Sequence, residues 1–278
     1  MLNDTGFKGL ITATDTEGVF QVNADSRYTI SAQLEGSNTT VTTQNGKLTL
    51  DPGKYSIIVS KVPETRTYYV APNGTDDGLT PETPAASVNE VIATANAAGL
   101  IKGDTISVKI IGSSAETRAV FAKAQLLEGK NYGKTEAMNS HTAKLIVSPY
   151  DTDMAYIHTD SSFNTGMGLG GVTEFKSINV KIHQYGTFYL DTYDFVLDAN
   201  SVLEGSAGIN LNVSTVKAQD YPGQTVVLDG VIKTGINIPT NNYSHEGAYI
   251  DDINIVINNA NSKVGLYLGA QDGDTFTL

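Results

Sequence analysis

Asp251 and Asp252 form the one adjacent acid pair in the second half of the chain. Hydrolysis of a glycosidic bond needs two carboxylates flanking it, one of them protonated. Elimination from a uronate needs a base for the proton next to the carboxylate, and a cation to offset the charge that develops. Adjacent residues on a strand point to opposite faces, so this pair lines one groove only from within a turn; a solvated turn before a strand is the plainer reading. Asp191 and Asp194 stand close to Tyr189 and Tyr193, the acids-beside-rings composition of a sugar site, and read equally as loop residues. Asn73, Asp76 and Asp77 belong to the oxygen-rich run Asn73-Gly74-Thr75-Asp76-Asp77-Gly78, a candidate calcium loop whose spacing is not that of an EF-hand.

The cations that lyase chemistry requires are scarce. Arg27, Arg66 and Arg118 are the only arginines, and all precede Lys144, where the densest run of strand-like segments begins. Lys176, Lys181, Lys217 and Lys233 are substitutes that no neighbouring residue singles out. His141, His158, His183 and His245 have no carboxylate at a telling spacing and read as surface or loop residues. Asp198 and Asp229 each follow Val-Leu, and a residue that recurs with a repeat is expected to bond neighbouring backbone at turns rather than to catalyse. The glycine-rich run 166–171 follows a polar loop and precedes a strand, which predicts a turn rather than a phosphate cradle. No P-loop, H-E-x-x-H or G-x-S-x-G motif is present.

The elements that must carry these residues begin with a chain of 278 residues, long enough for one or two domains, with 40% hydrophobic content and ample material for a core. Eighteen Lys+Arg against 30 Asp+Glu give a net charge of −12 and a pI near 4.6, which repels a phosphate backbone and argues against nucleic acid as partner. Apolar runs are too short for a transmembrane helix. Without cysteine there are no disulfides, thiolate metal sites or cysteine nucleophiles.

Residues 1–66 read as a small antiparallel β module, sandwich-like, of short strands rich in β-branched and aromatic residues. Asn45-Gly46 between Thr-Val-Thr-Thr and Lys-Leu-Thr-Leu predicts a hairpin. Asp51-Pro52-Gly53 predicts a second turn. After the strand at Thr67–Ala71 and two prolines, one helix is predicted near 88–98. Ser87 and Glu90 have capping-box spacing, Val88, Val91, Ile92 and Ala95 make an apolar stripe, and Gly99 is placed to end it. Ala115–Leu127 fits either a second helix or strands inserted in an early coil.

The run from Tyr68-Tyr69-Val70-Ala71-Pro72-Asn73-Gly74 through Thr80-Pro81-Glu82-Thr83-Pro84, the helix and Gly103-Asp104-Thr105 resembles the N-terminal cap of bacterial surface or secreted proteins with a pectate-lyase-like right-handed parallel β-helix. The closest match is 67–112. The resemblance implies a β-helix over 67–278 whose end is plugged by 67–104. Pectate lyases of this fold typically use an arginine as base, and no arginine lies beyond Lys144 to match it.

Internal repeats agree with a solenoid. Phe175–Ile182 matches Ile250–Ile257 at an offset of 75, Phe195–Asp198 matches Val226–Asp229 at 31, and Gly208–Leu211 matches Gly235–Ile238 at 27. These offsets predict coils of roughly 25 to 31 residues with two or three short strands each. The fold expected is therefore all-β: a right-handed parallel β-helix with one capping helix, preceded by the small antiparallel module.

The function expected is a structural or adhesive module, extracellular or at the cell surface, that binds a polysaccharide or cell-wall glycan without cutting it. A polysaccharide lyase or glycoside hydrolase is the alternative, with calcium as the one cofactor to consider, and a phage tail fibre or tailspike fragment is a third reading. Met1–Gly6 has neither a basic stretch nor an apolar run, so no signal peptide is read in the sequence given, and Gln271–Leu278 looks like the start of another coil. The chain is therefore expected to be a fragment, its C-terminal end covered by further segments or an oligomer partner.

Overall fold

A computed structural model describes residues 7–13, 18–21, 27–44, 47–100, 103–123, 133–135, 143–160, 165–168, 172–182, 188–191, 194–205, 209–210, 223–233, 236–239, 252–258 and 266–269. The chain divides into two compact units, Met1–Glu64 and Thr65–Leu278.

In the first unit, β1 (Phe7–Ala13), β2 (Gly18–Gln21), β3 (Tyr28–Leu34), β4 (Thr40–Thr42), β5 (Lys47–Leu50) and β6 (Gly53–Lys61) form two antiparallel sheets, ordered β1-β6-β3-β4 and β2-β5. Leu48 and Leu50 alternate with exposed Lys47 and Thr49 along β5 and pack with Ala32 and Tyr55 of the other sheet. Gln44 and Lys47, which flank Asn45-Gly46, exchange two backbone hydrogen bonds of 2.9 Å, but the expected hairpin goes no further. Instead β4 pairs with β3 and β5 with β2. Turn chemistry reverses the chain, whereas the partner of each strand is chosen by the core its apolar face must reach.

The second unit opens with β7 (Thr65–Val70) and α1 (Val88–Ala97). Thr65 and Arg66 already pair with Thr105 and Ile106, which puts the division between units ahead of the 66/67 boundary read from the sequence. Ser87 Oγ accepts the Glu90 N–H at 3.2 Å and the Glu90 carboxylate accepts the Ala86 N–H at 3.0 Å, a reciprocal cap worth about 0.5–2 kcal/mol. Gly99, at φ 80°, closes the helix. Val88, Val91, Ile92 and Ala95 are buried in the unit's main core, and α1 packs on the first strands of the sheets. No helix among the described residues is long and apolar enough to cross a membrane.

From Thr105 the strands come in passes of three. The first pass is β8 (Thr105–Ile110), β9 (Ala119–Lys123) and β10 (Gly133–Thr135). The next is β11 (Lys144–Pro149), β12 (Ala155–Asp160) and β13 (Thr165–Gly168), followed by β14 (Val172–Phe175), β15 (Ile178–Lys181) and β16 (Phe188–Asp191). Then come β17 (Asp194–Leu197), β18 (Val202–Glu204) and β19 (Ile209–Asn210), and β20 (Gly223–Leu228), β21 (Val231–Lys233) and β22 (Ile236–Pro239). β23 (Asp252–Ile257) and β24 (Leu266–Gly269) complete the described strands. All pair in parallel, in three sheets ordered β23-β20-β17-β14-β11-β8-β7, β21-β18-β15-β12-β9 and β10-β13-β16-β19-β22-β24. The chain thus visits the same three sheets in the same order five times.

Register carries the inward side chains into continuous rows. Val108, Val147, Phe175, Leu197 and Leu228 align across the seven-stranded sheet, and Ala119, Ile157, Val180, Leu203 and Ile232 across the five-stranded one; every one is buried. Phe175 meets Phe121 and Phe195 edge to face at 5.5 and 5.3 Å between ring centroids, contacts that add about 0.5–1.5 kcal/mol each to the burial itself. Ala119–Lys123 is strand, so the open alternative at Ala115–Leu127 is not a second helix there; Ala119 and Phe121 point inward at strand spacing.

Two of the three repeat matches coincide with the pairing register: Phe195 lies beside Val226 and Ile209 beside Ile236. The match at 75 does not. Phe175–Ile182 is two strands, β14 and β15, split at Ser177, whereas Asp252–Ile257 is one strand beside β20. Ile178 and Ile253 therefore belong to different sheets, and their likeness is only the period-two pattern common to all buried strands. Offsets within the seven-stranded sheet run from 22 (Val172 to Asp194) to 40 (Thr65 to Thr105), wider than the coil length expected, because the connections differ.

The corner between the seven- and five-stranded sheets explains Asp198 and Asp229. Asp198 Oδ1 accepts the Ser177 N–H at 2.9 Å and the Ser201 hydroxyl at 2.5 Å, while Ser201 Oγ accepts the Ile178 N–H at 3.0 Å. Ser177 sits at φ 53°, a conformation costly for a non-glycine residue, and the Asp198 carboxylate helps to hold it there. One pass later Asp229 Oδ1 accepts the Asn258 side-chain amide. The recurring aspartates bond the neighbouring turn, as their recurrence suggested. Gly230 completes the corner: a Cβ there would meet the Ser201 and Asp198 carbonyl oxygens at 2.4 and 2.7 Å.

Candidate functional site

The turn between β8 and β9 is built from short polar side chains. Ser114 Oγ accepts the Glu116 and Thr117 N–H groups at 3.2 and 3.0 Å, and Ser113 Oγ accepts the Tyr156 N–H at 2.9 Å, fastening the turn to β12. This delivers Arg118 to the outer face of the five-stranded sheet, where its side chain is only 10% exposed. Its Nη1 donates to Asn179 Oδ1 at 2.6 Å and to the Ile157 and Asn179 carbonyls at 3.3 Å. Nη2 donates to Glu204 Oε1 at 3.0 Å, Nε donates to the Ala115 carbonyl at 3.2 Å, and the guanidinium lies 5.3 Å from the centre of the Tyr156 ring. One side chain thereby bonds to residues of β12, β15 and β18.

Beside it runs a second outward row. His158, Lys181, Glu204 and Lys233 align by register on β12, β15, β18 and β21, so their side chains leave the same face one strand spacing apart, about 4.8 Å. A bulge between His158 and Thr159, where Val120 and Ala122 face them on β9, lies at the head of this row. Over these strands opens a cleft of about 710 Å³, bounded by Asn73, Glu116, Arg118, His158, Lys181 and Gly205 among others. Gly205 matters to its floor, because a Cβ there would lie 2.8 Å from Ile182 Cβ and 3.0 Å from its carbonyl oxygen.

The cleft was not assembled by the sequence reading. His158, read as a surface or loop residue, is a partly exposed strand residue in register with Lys181, and Arg118, though it precedes Lys144, is bonded into the parallel sheets all the same. The signal in the sequence was weak: an arginine just before a strand, and lone polar residues at alternate strand positions.

Of the residues proposed from sequence, Asn73 borders this cleft. Asp76 and Asp77 are exposed and serve their own loop: Asp76 Oδ1 accepts the Asp77 N–H, and Asp77 Oδ1 accepts the Leu79 N–H and the Thr83 hydroxyl, at 3.0, 3.0 and 3.3 Å. No group of three His, Asp or Glu side chains able to hold a metal ion occurs among the described residues. Tyr189 and Asp191 lie on β16 and Asp194 opens β17, so these three of the four residues read as one sugar site divide between two sheets; Tyr193 lies outside the described residues. Asp252 opens β23 in register with Gly223, and Asp251 lies outside the described residues. Lys217, His141, His183 and His245 lie outside them as well.

A separate polar cluster occupies the outer face of the seven-stranded sheet. Glu174 pairs with Lys144 at 2.5 Å and with Lys176 at 3.1 Å. Burial pushes its carboxyl upward, but the hydrogen bonds and charges of the two lysines outweigh that and hold it below the ordinary glutamate range.

Fold and site together define an all-β protein built on parallel sheets, with a polar, partly cationic cleft on an outer sheet face. Comparison with protein-family models, with curated proteins and with solved structures found no match.

Proposed function

We propose that residues 65–278 are a right-handed parallel β-helix, the module of an extracellular or cell-surface bacterial protein, and that it binds a glycan without cutting it. The fivefold return to three parallel sheets supports the solenoid, since a right-handed crossover is the rule for parallel strands and each pass buries its rows on the next. The resemblance of 67–112 to the cap of pectate-lyase-like surface proteins agrees with it.

One observation carries the choice of binding over cleavage. Arg118, the only arginine near the cleft, is ion-paired to Glu204 and hydrogen-bonded to Asn179 and three carbonyls. A guanidinium whose Nε, Nη1 and Nη2 are all engaged by groups of the protein is turned toward the sheet and not toward a ligand's proton. The role an arginine plays in pectate lyases is thus not open to it, and it acts as a fixed wall of the site. Polar groups on a sheet face, lining a cleft of about 710 Å³, suit the hydroxyls of a saccharide.

The test is to incubate the full chain with bacterial, plant and host polysaccharides, with and without calcium, and read both retention and products. Retention of a polymer with no unsaturated ends and no new reducing ends is the expected result. Ultraviolet-absorbing products or reducing-end release would move the protein to the lyases or hydrolases. No retention by any polymer would remove the glycan reading.

A further inference from the structure

The cleft begins at a wall. β9 is the edge strand of the five-stranded sheet on the side of α1, where Ser87 bridges to Val120, and Pro72 and Asn73 of the same cap border the cleft there. From that wall the floor runs across His158 and Lys181 toward Gly205, with Lys233 one strand beyond Glu204 in the same row. A groove that starts at a wall admits the end of a polymer and not its middle.

Charge narrows the ligand further. The chain carries a net −12, so an anion approaching most of its surface is repelled. At the cleft, Glu204 is ion-paired with Arg118, while Glu116 accepts the Ser114 hydroxyl at 3.0 Å and keeps its charge. Lys181 is exposed and, among the described residues, has no ion-pair partner; His158 lies beside it on the adjacent strand. Among the described residues of the cleft and its row, Arg118, Lys181 and Lys233 outnumber Glu116 and Glu204 by one, a local excess of positive charge on a protein that is otherwise acidic, and Lys181 is the unpaired cation within the lining.

Resting on the glycan-binding reading, we propose that the cleft between the cap loop and the outer face of β12 and β15 holds the terminal unit of an acidic saccharide. Lys181 meets the anionic group of that unit, and Arg118 is the positioning residue that fixes the wall beside it. A carboxylate and a sulfate share the chemistry Lys181 recognises, and the two are separated by the probes.

The experiment titrates the full chain calorimetrically with four probes: a uronate trisaccharide, a sulfated trisaccharide, a neutral trisaccharide and a long polyuronate of known chain length. One or both acidic trisaccharides should bind at least tenfold more tightly than the neutral one. The Lys181→Met variant should lose about tenfold for the acidic probe and nothing for the neutral one. Because Lys181 is exposed, that variant keeps the fold, which circular dichroism checks; Arg118→Lys, which retains the charge but not the fork, should weaken binding while leaving its salt dependence in place. The polyuronate should saturate at one protein per chain end. Equal binding of acidic and neutral trisaccharides, unaffected by Lys181→Met, overturns this inference and leaves the glycan reading standing, as does saturation at many proteins per polymer chain. Binding of none of the four probes, alongside no retention on the polysaccharide panel, removes both.

Discussion

Replacing Arg118 by methionine keeps an apolar stem against Tyr156 and deletes the guanidinium with its five contacts to Ala115, Ile157, Asn179 and Glu204. Two of these dominate: the 2.6 Å bond to Asn179 Oδ1, on a residue 9% exposed, and the 3.0 Å ion pair with Glu204. A hydrogen bond to a charged group contributes about 1.5–3 kcal/mol when buried. Glu204 is 30% exposed, so water replaces part of what it loses and its share sits at the low end. The carbonyl contacts at 3.2–3.3 Å are long and add little. The sum is about 3 kcal/mol of stability for the second unit. That unit has 214 residues, and at about 2–4 °C per kcal/mol its unfolding midpoint falls by roughly 6–12 °C. Urea unfolding followed by circular dichroism measures the free energy, and calorimetry the midpoint. Arg118→Lys should recover less than half of the loss, because an ammonium reaches one acceptor where the fork reaches several. A cycle with Glu204→Gln should return a coupling of about 1 kcal/mol. If Arg118→Met stays within about 0.5 kcal/mol of wild type, the range of an ordinary surface change, or if the cycle shows no coupling, the clamp does not exist.

Other consequences concern the corner, the core and pH. Asp198→Ala strips the acceptor from the Ser177 N–H and the Ser201 hydroxyl and should cost about 2–4 kcal/mol, with faster hydrogen exchange at Ser177 as the local readout. Gly230→Ala forces a Cβ against two backbone oxygens and should cost about 1–3 kcal/mol in urea titrations, whereas Gly112→Ala, where a Cβ meets nothing, should show only the smaller strain of its φ of 58°. Phe175→Ala removes the middle ring of three and should cost about 3–5 kcal/mol, measured the same way. Because the Glu174 carboxyl is held below its ordinary range when folded, its contribution is present in full above the unfolded-chain value and disappears as pH falls through the lowered folded one. Glu174→Gln should therefore cost roughly 0.5–1 kcal/mol at neutral pH, both lysines being well exposed, and converge on wild type in acid; a constant difference across that range would contradict the ion-pair account.

Local chemistry was written in the chain. The Ser87–Glu90 box, the apolar stripe of α1 and Gly99 depend on residues a few positions apart, and the helix formed where they placed it. Strand existence was legible for the same reason, since period-two burial needs only the next few residues. The recurring Val-Leu-Asp at 198 and 229 even disclosed a register and the turn role of its aspartates. Which strands pair is another matter. Beyond the bridge of Gln44 to Lys47, β4 and β5 did not pair into the hairpin that Asn45-Gly46 predicted, and Phe175–Ile182 broke at Ser177 into two sheets, because each choice belongs to the core that the strand's apolar face must join. The candidate site is the extreme case. Arg118 reaches Glu204 across 86 residues and His158 meets Lys181 across 23, distances set by how many residues each connection happens to hold. Periodicity along a chain states which way a side chain faces; only the stacking of one pass on the next decides which side chains face together.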